Sequence, residues 1–168
     1  MPTPIKILFI AAEAEPIIKI GGLADVAGTL PLVLRKLTQE TAQDRKLDVR
    51  LALPFHRSSR ADPTIMLPTT EVMVYRQGGN LKAKVFEFSL KGMPVYFIDG
   101  EPIHTAESVY STDPALDREK YTFFSLAVLE MLRHIDWQPD ILHANDWHTA
   151  PAIYALKTRY KNDGFFSD

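Results

Sequence analysis

Residues 5–26, IKILFIAAEAEPIIKIGGLADV, contain the order of elements on which the predicted fold rests. They open with the apolar run Ile5–Ala12, broken only by Lys6, which is typical of a strand covered on both faces of a parallel sheet. Two adjacent glycines, Gly21 and Gly22, follow. From Leu23 onward the apolar residues recur with the period of a helix lying on a sheet. This strand–loop–helix order predicts the opening unit of an α/β fold.

Strand and helix patterns alternate through the rest of the chain. Further strands are predicted at 47–53, 94–98 and 141–144, a hairpin at 72–75 and 82–90, and helices from Asp113-Pro114 to about 135 and from about 150 to 160. Pro31 predicts a kink or a weakened turn in the first helix. Residues 101–116 have no clear period and are predicted to form a surface loop. The whole predicts a Rossmann-like, doubly wound, mainly parallel sheet with helices on both faces and a β-hairpin insertion.

Composition excludes several classes of protein. The 168 residues suffice for one domain, and the absence of cysteine excludes disulfides, thiolate metal sites and cysteine nucleophiles. A formal net charge of −2 without a cluster of Lys and Arg argues against a nucleic-acid partner. No apolar run approaches the ~20 residues that a membrane helix needs, and the N-terminus has no signal-peptide pattern. We therefore expect a cytoplasmic protein with no membrane partner.

The Lys-Gly loop, residues 19–22, is the first candidate binding site. Glycines lack Cβ and allow a ligand to approach the backbone closely, and the following helix offers N–H groups and a positive dipole end to an anion such as a diphosphate. The alternative is a Gly-Gly turn beside a solvated lysine. Asp25, in the first helical turn, either complements the helix dipole or accepts hydrogen bonds from sugar hydroxyls. The loop matches neither the Walker nor the dinucleotide-binding pattern.

A second candidate lies at His143-Ala144-Asn145-Asp146-Trp147-His148, where a strand ends and a helix starts. Strand ends of this kind face the ligand crevice in open parallel sheets. Asn145 and Asp146 offer an amide and a carboxylate to a polyhydroxylated ligand. The alternatives are that Asp146 or Thr149 is a helix N-cap and that His143 is a hydrogen-bonded core histidine. A metal site at His143, Asp146 and His148 is disfavoured, because no further ligand pair with metal spacing occurs in the sequence.

These motifs together resemble the N-terminal catalytic domain of bacterial glycogen synthases and plant starch synthases, which are retaining glucosyltransferases of the two-domain GT-B type. The resemblance covers nearly the whole chain. The matching features occur in the family's order: the opening strand with Ala12-Glu13, the octapeptide Lys19–Val26, Leu53-Pro54, Tyr96–Asp99, Tyr110 and Asn145–Thr149.

The resemblance implies transfer of glucose from ADP-glucose to the non-reducing end of an α-1,4-glucan, with no cofactor and no metal. It places Asp146 as the catalytic carboxylate. It implies that the donor nucleotide is bound by Lys19, Gly21 and Gly22. On the sugar or acceptor side it implies Asp25, Tyr110, Asn145 and His148.

The resemblance also implies that residues 1–168 are a truncated N-terminal domain, one half of a GT-B fold, whose C-terminal nucleotide-binding domain is missing. On this interpretation the missing C-terminal domain is a partner of this chain and completes its site. The isolated chain is then inactive and prone to self-association. Two alternatives stay open: a different GT-B glycosyltransferase, and a non-catalytic module that binds a glucan or a nucleotide.

Overall fold

The computed structural model of the chain describes residues 3–37, 46–59 and 68–166. Its strands are β1 (Ile5–Ile10), β2 (Leu47–Pro54), β3 (Thr70–Val74), β4 (Leu81–Leu90), β5 (Met93–Asp99) and β6 (Ile141–Ala144). Its helices are α1 (Gly22–Lys36), α2 (Glu101–His104), α3 (Pro114–His134) and α4 (Ala150–Lys157), with a 3₁₀ turn at Trp147–Thr149. The ends of the predicted domain, 1–2 and 167–168, lie outside the described residues.

The strands form one sheet in the order β3-β4-β5-β2-β1-β6. Strands β5, β2, β1 and β6 run parallel, whereas β3 and β4 form an antiparallel hairpin added at the β5 edge. The predicted mainly parallel sheet with a hairpin insertion is therefore confirmed. Positive φ angles at Gly78 (91°) and Gly79 (118°) make the hairpin turn, a conformation that glycine adopts without steric cost.

Helices cover both faces of the sheet, as predicted. Alternate residues of β1 point to opposite sides, so Leu8 and Ile10 join a core with α3 and α4, while Ile7 and Phe9 join a core with α1. Both layers are closely packed, and Leu8, Phe9 and Ile10 are fully buried. This two-sided burial explains why β1 has an almost uninterrupted apolar sequence.

One local expectation differs from the structure. The segment 101–116 is not a plain surface loop, because it contains α2 and the first turn of α3 and buries Ile103 and Val109. The apolar residues of this segment have no regular spacing because they anchor single turns. The buried face of α1 is formed by small residues, Ala24, Ala27, Gly28 and Pro31.

The topology creates a crevice beside β1. The chain leaves β1 toward α1 on one face of the sheet and leaves β6 toward α4 on the other. Adjacent parallel strands whose connections diverge in this way leave a cleft at their carboxyl ends, where ligands bind in open α/β sheets. The Lys-Gly loop follows β1, and residues 145–149 follow β6.

Candidate active site

The two candidate segments are tied together where β1 and β6 end. Ile10 pairs with Ala144 in the sheet. The Ile10 carbonyl accepts hydrogen bonds from the Asn145 backbone N–H at 3.1 Å and from Asn145 Nδ2 at 3.0 Å. Asn145 therefore uses its amide nitrogen to hold the end of β6 against the end of β1, which sets the two loops side by side.

The Lys-Gly loop is organised around the side chain of Glu13. Gly21 N–H donates to Glu13 Oε2 at 3.0 Å, and Ile20 N–H donates to the same oxygen. These two loop N–H groups therefore bind an internal carboxylate. The N–H groups of Gly22 and Leu23, in the first turn of α1, have no acceptor within the helix.

The two glycines of the loop are not required by the backbone. Gly21 is extended, with φ −135° and ψ −167°, a conformation open to any residue. A Cβ atom at Gly22 would meet nothing within 4 Å, and one at Gly21 would meet only Glu13 Oε1, at an ordinary 3.4 Å. Since neither turn geometry nor packing demands glycine here, what the glycines supply is open space in front of α1.

Lys19 and Asp25 form an ion pair on the rim of the crevice. Lys19 Nζ lies 2.5 Å from Asp25 Oδ1, and both side chains are about half exposed. The hydrogen bond to Asp25 raises the pKa of Lys19, so the ammonium stays charged at neutral pH. An anionic ligand that reached Lys19 would share or replace this carboxylate.

Tyr110 extends across the crevice from the segment before α3. Its hydroxyl donates to Glu13 Oε1 at 2.8 Å, and its ring lies 4.7 Å, centroid to centroid, from that of His148. Burial and the Glu13 carboxylate raise the pKa of Tyr110, so the hydroxyl keeps its proton and remains a donor. Tyr110 thus touches both the Lys-Gly side and the β6 side of the site.

Asp146 has an unusual backbone conformation, with φ 63° and ψ 175°. This region is essentially restricted to glycine, and strain of this kind clusters at functional sites. The Asp146 carboxylate accepts from the Trp147 N–H at 2.6 Å, which confirms the N-cap interpretation, yet its side chain is 51% exposed. One oxygen lies 3.8 Å from Nδ1 of His148.

His148 is buried beneath this turn. Its ring packs against Tyr110, Tyr121 and Trp147. Burial lowers the pKa of His148, which keeps the imidazole neutral at pH 7 despite the neighbouring carboxylate. A neutral ring can donate from one nitrogen and accept at the other.

Three buried polar residues near the site were not singled out from the sequence. Glu13 is 1% exposed, Lys120 is 1% exposed and His56 is 3% exposed. Lys120 Nζ donates to the carbonyls of Ser108 and Val109 and lies 2.8 Å from Asp117 Oδ1. The sequence feature that could have identified Glu13 is the position of an acidic residue directly after a predicted buried strand. Lys120 gave none, because lysine in a helix usually faces solvent.

The described residues contain neither a cluster of metal ligands nor a membrane-spanning helix. Within 3–37, 46–59 and 68–166, no three His, Asp or Glu side chains are grouped so that they could hold a metal ion. No helix in the same ranges combines the length and apolarity needed to cross a membrane.

Comparison with known proteins identifies similar chains. The family model described as the starch synthase catalytic domain matches residues 6–168. The glycogen synthase of Vibrio parahaemolyticus is 40% identical over 168 residues, an alignment that covers 97% of this chain and 32% of the relative. The glycogen synthase of Desulforudis audaxviator is 36% identical, with 98% and 33% covered. This chain therefore spans about a third of the length of these relatives.

A solved structure gives the same result for the fold. The catalytic domain of starch synthase IV from Arabidopsis thaliana, bound to ADP and acarbose, superposes with a TM-score of 0.82 at 27% identity. The superposition covers 96% of this chain and 32% of that one.

Proposed function

The chain belongs to the starch synthase catalytic domain family, and on that premise we propose that it is the N-terminal domain of a glycogen or starch synthase. The full-length enzyme transfers glucose from ADP-glucose to the non-reducing end of an α-1,4-glucan with retention, and its second domain supplies the rest of the nucleotide site. The observation that carries the proposal is the apposition of the Lys-Gly loop and residues 145–148 at the ends of β1 and β6.

The proposed donor site is the open rim in front of α1. Lys19 supplies a charged ammonium, and Gly22 and Leu23 supply N–H groups at the positive end of a 15-residue helix. Gly21 and Gly22 line this proposed donor site, and the space left by their missing side chains supports close approach of a diphosphate. The ADP held by the Arabidopsis starch synthase supports a nucleotide ligand of this kind.

The proposed sugar side lies toward β6. Asp146 is the active-site carboxylate, held in place by the strained turn after β6. Asp25, Tyr110, Asn145 and His148 face the glucose or the acceptor, for which the acarbose of the Arabidopsis protein offers support. Glucosyl transfer passes through positive charge on the sugar and negative charge on the departing diphosphate, so oriented dipoles and Lys19 lower its barrier.

The proposal includes a cytoplasmic location and a reaction that needs no metal or other cofactor. The bacterial glycogen synthases among the relatives support the location. Asp146 and Lys19, rather than an ion, supply the charges at the reacting groups in this scheme.

An ADP titration of this chain, followed by amide NMR, tests the proposal. We expect shifts centred on residues 19–25, and an affinity about tenfold lower in Lys19→Ala, since one charge-assisted contact is lost. Lys36→Ala, which removes the same charge at the opposite end of α1, is the matched control and should bind ADP normally. Shifts located elsewhere, or equal affinities of the two variants, would contradict the assignment of the Lys-Gly loop.

A further inference from the structure

We infer that Glu13 is a positioning residue that couples the Lys-Gly loop to Tyr110, so that the donor side and the sugar side of the site are set by one carboxylate. The inference rests on the proposed function for what these two sides bind. It concerns a residue to which the family resemblance assigns no role here. Its basis is the set of contacts that Glu13 makes.

The Glu13 carboxylate joins two segments that are far apart in sequence. Oε2 accepts from the N–H groups of Ile20 and Gly21, and Oε1 accepts from the Tyr110 hydroxyl at 2.8 Å and more weakly from the Gly21 N–H at 3.2 Å. Tyr110 is 97 positions away along the chain. Both oxygens are thus occupied, and movement of either segment changes the acceptor geometry of the other.

Removing the Glu13 carboxylate from water has a free-energy cost that packing alone does not explain. It is 1% exposed, and in the described part of the chain it takes part in no ion pair. A buried carboxylate without a direct ion pair is tolerated only when hydrogen bonds compensate for its lost hydration. Here neutral donors provide that compensation, and they come from the two segments whose relative position matters for the site.

The Tyr110 end of this linkage is itself fixed. The carbonyl of Val109 accepts from Lys120 Nζ at 2.6 Å and from the Tyr121 hydroxyl at 2.6 Å. The buried α3 therefore holds the backbone next to Tyr110, which limits how far the Tyr110 hydroxyl can move. A fixed hydroxyl acting on a buried carboxylate is able to position the Lys-Gly loop, whereas a mobile one is not.

ADP binding distinguishes coupling through Glu13 from a direct contact between Tyr110 and the ligand, because ADP carries no glucose. Tyr110 is proposed to face the sugar, so loss of its hydroxyl should leave ADP affinity unchanged unless the effect passes through Glu13. With coupling, Tyr110→Phe releases Glu13 Oε1, loosens the Ile20 and Gly21 N–H bonds and weakens ADP binding.

The test measures amide hydrogen exchange in this chain without nucleotide, and then ADP affinity. In Tyr110→Phe we expect the Ile20 and Gly21 amides to exchange about tenfold faster, as for a weakened hydrogen bond to a charged group. Tyr160→Phe is the matched control, because the Tyr160 hydroxyl also donates to a glutamate, Glu130, at 2.6 Å but far from the loop. Unchanged exchange at both amides in Tyr110→Phe would overturn the inference, whether or not ADP binds.

A second variant approaches the linkage from the other end. Glu13→Gln preserves the shape of the side chain but has only one acceptor oxygen, so we expect about tenfold faster exchange of the two amides and a matching loss of ADP affinity. Adding Tyr110→Phe to Glu13→Gln should then change either readout by less than about twofold. Fully additive effects would refute coupling, while ADP binding away from residues 19–25 would refute only the proposed function.

Discussion

His56 is a buried histidine whose environment opposes its charge. It is 3% exposed, its Nε2 has no hydrogen-bond partner among the described residues, and the Lys120 ammonium is nearby. Burial first, and Lys120 second, lower the pKa of His56 from its ordinary 6.5 to about 4. Between these pH values the unfolded chain binds a proton that the folded chain does not.

The free energy of unfolding should therefore rise with pH between about 4 and 6.5, because protonation of the buried His56 at low pH costs the folded state up to ~3 kcal/mol relative to neutral pH. Urea denaturation of the parent and of His56→Gln at intervals across this range measures the difference in slope. The variant should have the shallower slope. Equal slopes for His56→Gln and the parent would exclude a neutral buried His56.

Asp146 carries backbone strain that a substitution can reveal. Both Asp146→Ala and Asp146→Gly remove the carboxylate and its bond to the Trp147 N–H, but only glycine relieves a φ of 63°. We expect the glycine variant to be more stable than the alanine variant by ~1–3 kcal/mol in thermal or urea unfolding. The control is the same pair of substitutions at Asp25, in the first turn of α1. There the alanine variant should be more stable than the glycine variant by about 1 kcal/mol. Alanine equal to or better than glycine at Asp146 would rule out strain there.

Helix α1 packs against the loop that precedes it through Gly28. A Cβ atom at Gly28 would lie 2.1 Å from the Glu15 carbonyl oxygen, so Gly28→Ala forces the backbone of the loop away from the helix. We expect a loss of about 1–3 kcal/mol in stability by urea unfolding, although alanine normally favours a helix. Gly22→Ala, with nothing within 4 Å, should be neutral or stabilising. A neutral Gly28→Ala would show that the loop yields without cost.

The elements that could be predicted from sequence are those with regular local patterns. Strand β6 lies at Ile141–Ala144 as predicted from its short, mainly apolar run, although it is an edge strand that is only partly buried. The residues 101–116 were misjudged because Ile103 and Val109 are buried singly, without a period. The role of Glu13 was also beyond sequence reasoning, since it depends on Tyr110, which only the fold brings near. The adjacency of the Lys-Gly loop and residues 145–148 could be predicted because each follows a predictable strand.

Taken as a whole, the molecule presents its proposed site as an open surface. The side chains of Lys19, Asp25 and Asp146 are 44%, 57% and 51% exposed. Lys19 is also the only Lys or Arg among the nine residues of the proposed site, and Asp25 already neutralises it. Glycosyl transfer requires water to be excluded and the diphosphate charge to be compensated. This chain, about a third of the length of its relatives, offers one wall of such a site.

We therefore expect this chain to bind ADP-glucose weakly but not to transfer its glucose. Incubation with radiolabelled ADP-glucose and glycogen should incorporate no label above the level of the Asp146→Ala variant, while a full-length bacterial glycogen synthase serves as the positive control. The physical reason is that water reaches Lys19 and Asp146 from the open side. The electrostatic interactions of these two groups with the reacting atoms are therefore weakened by solvent. Incorporation at a rate comparable to the positive control, lost in Asp146→Ala, would mean that this surface suffices for catalysis.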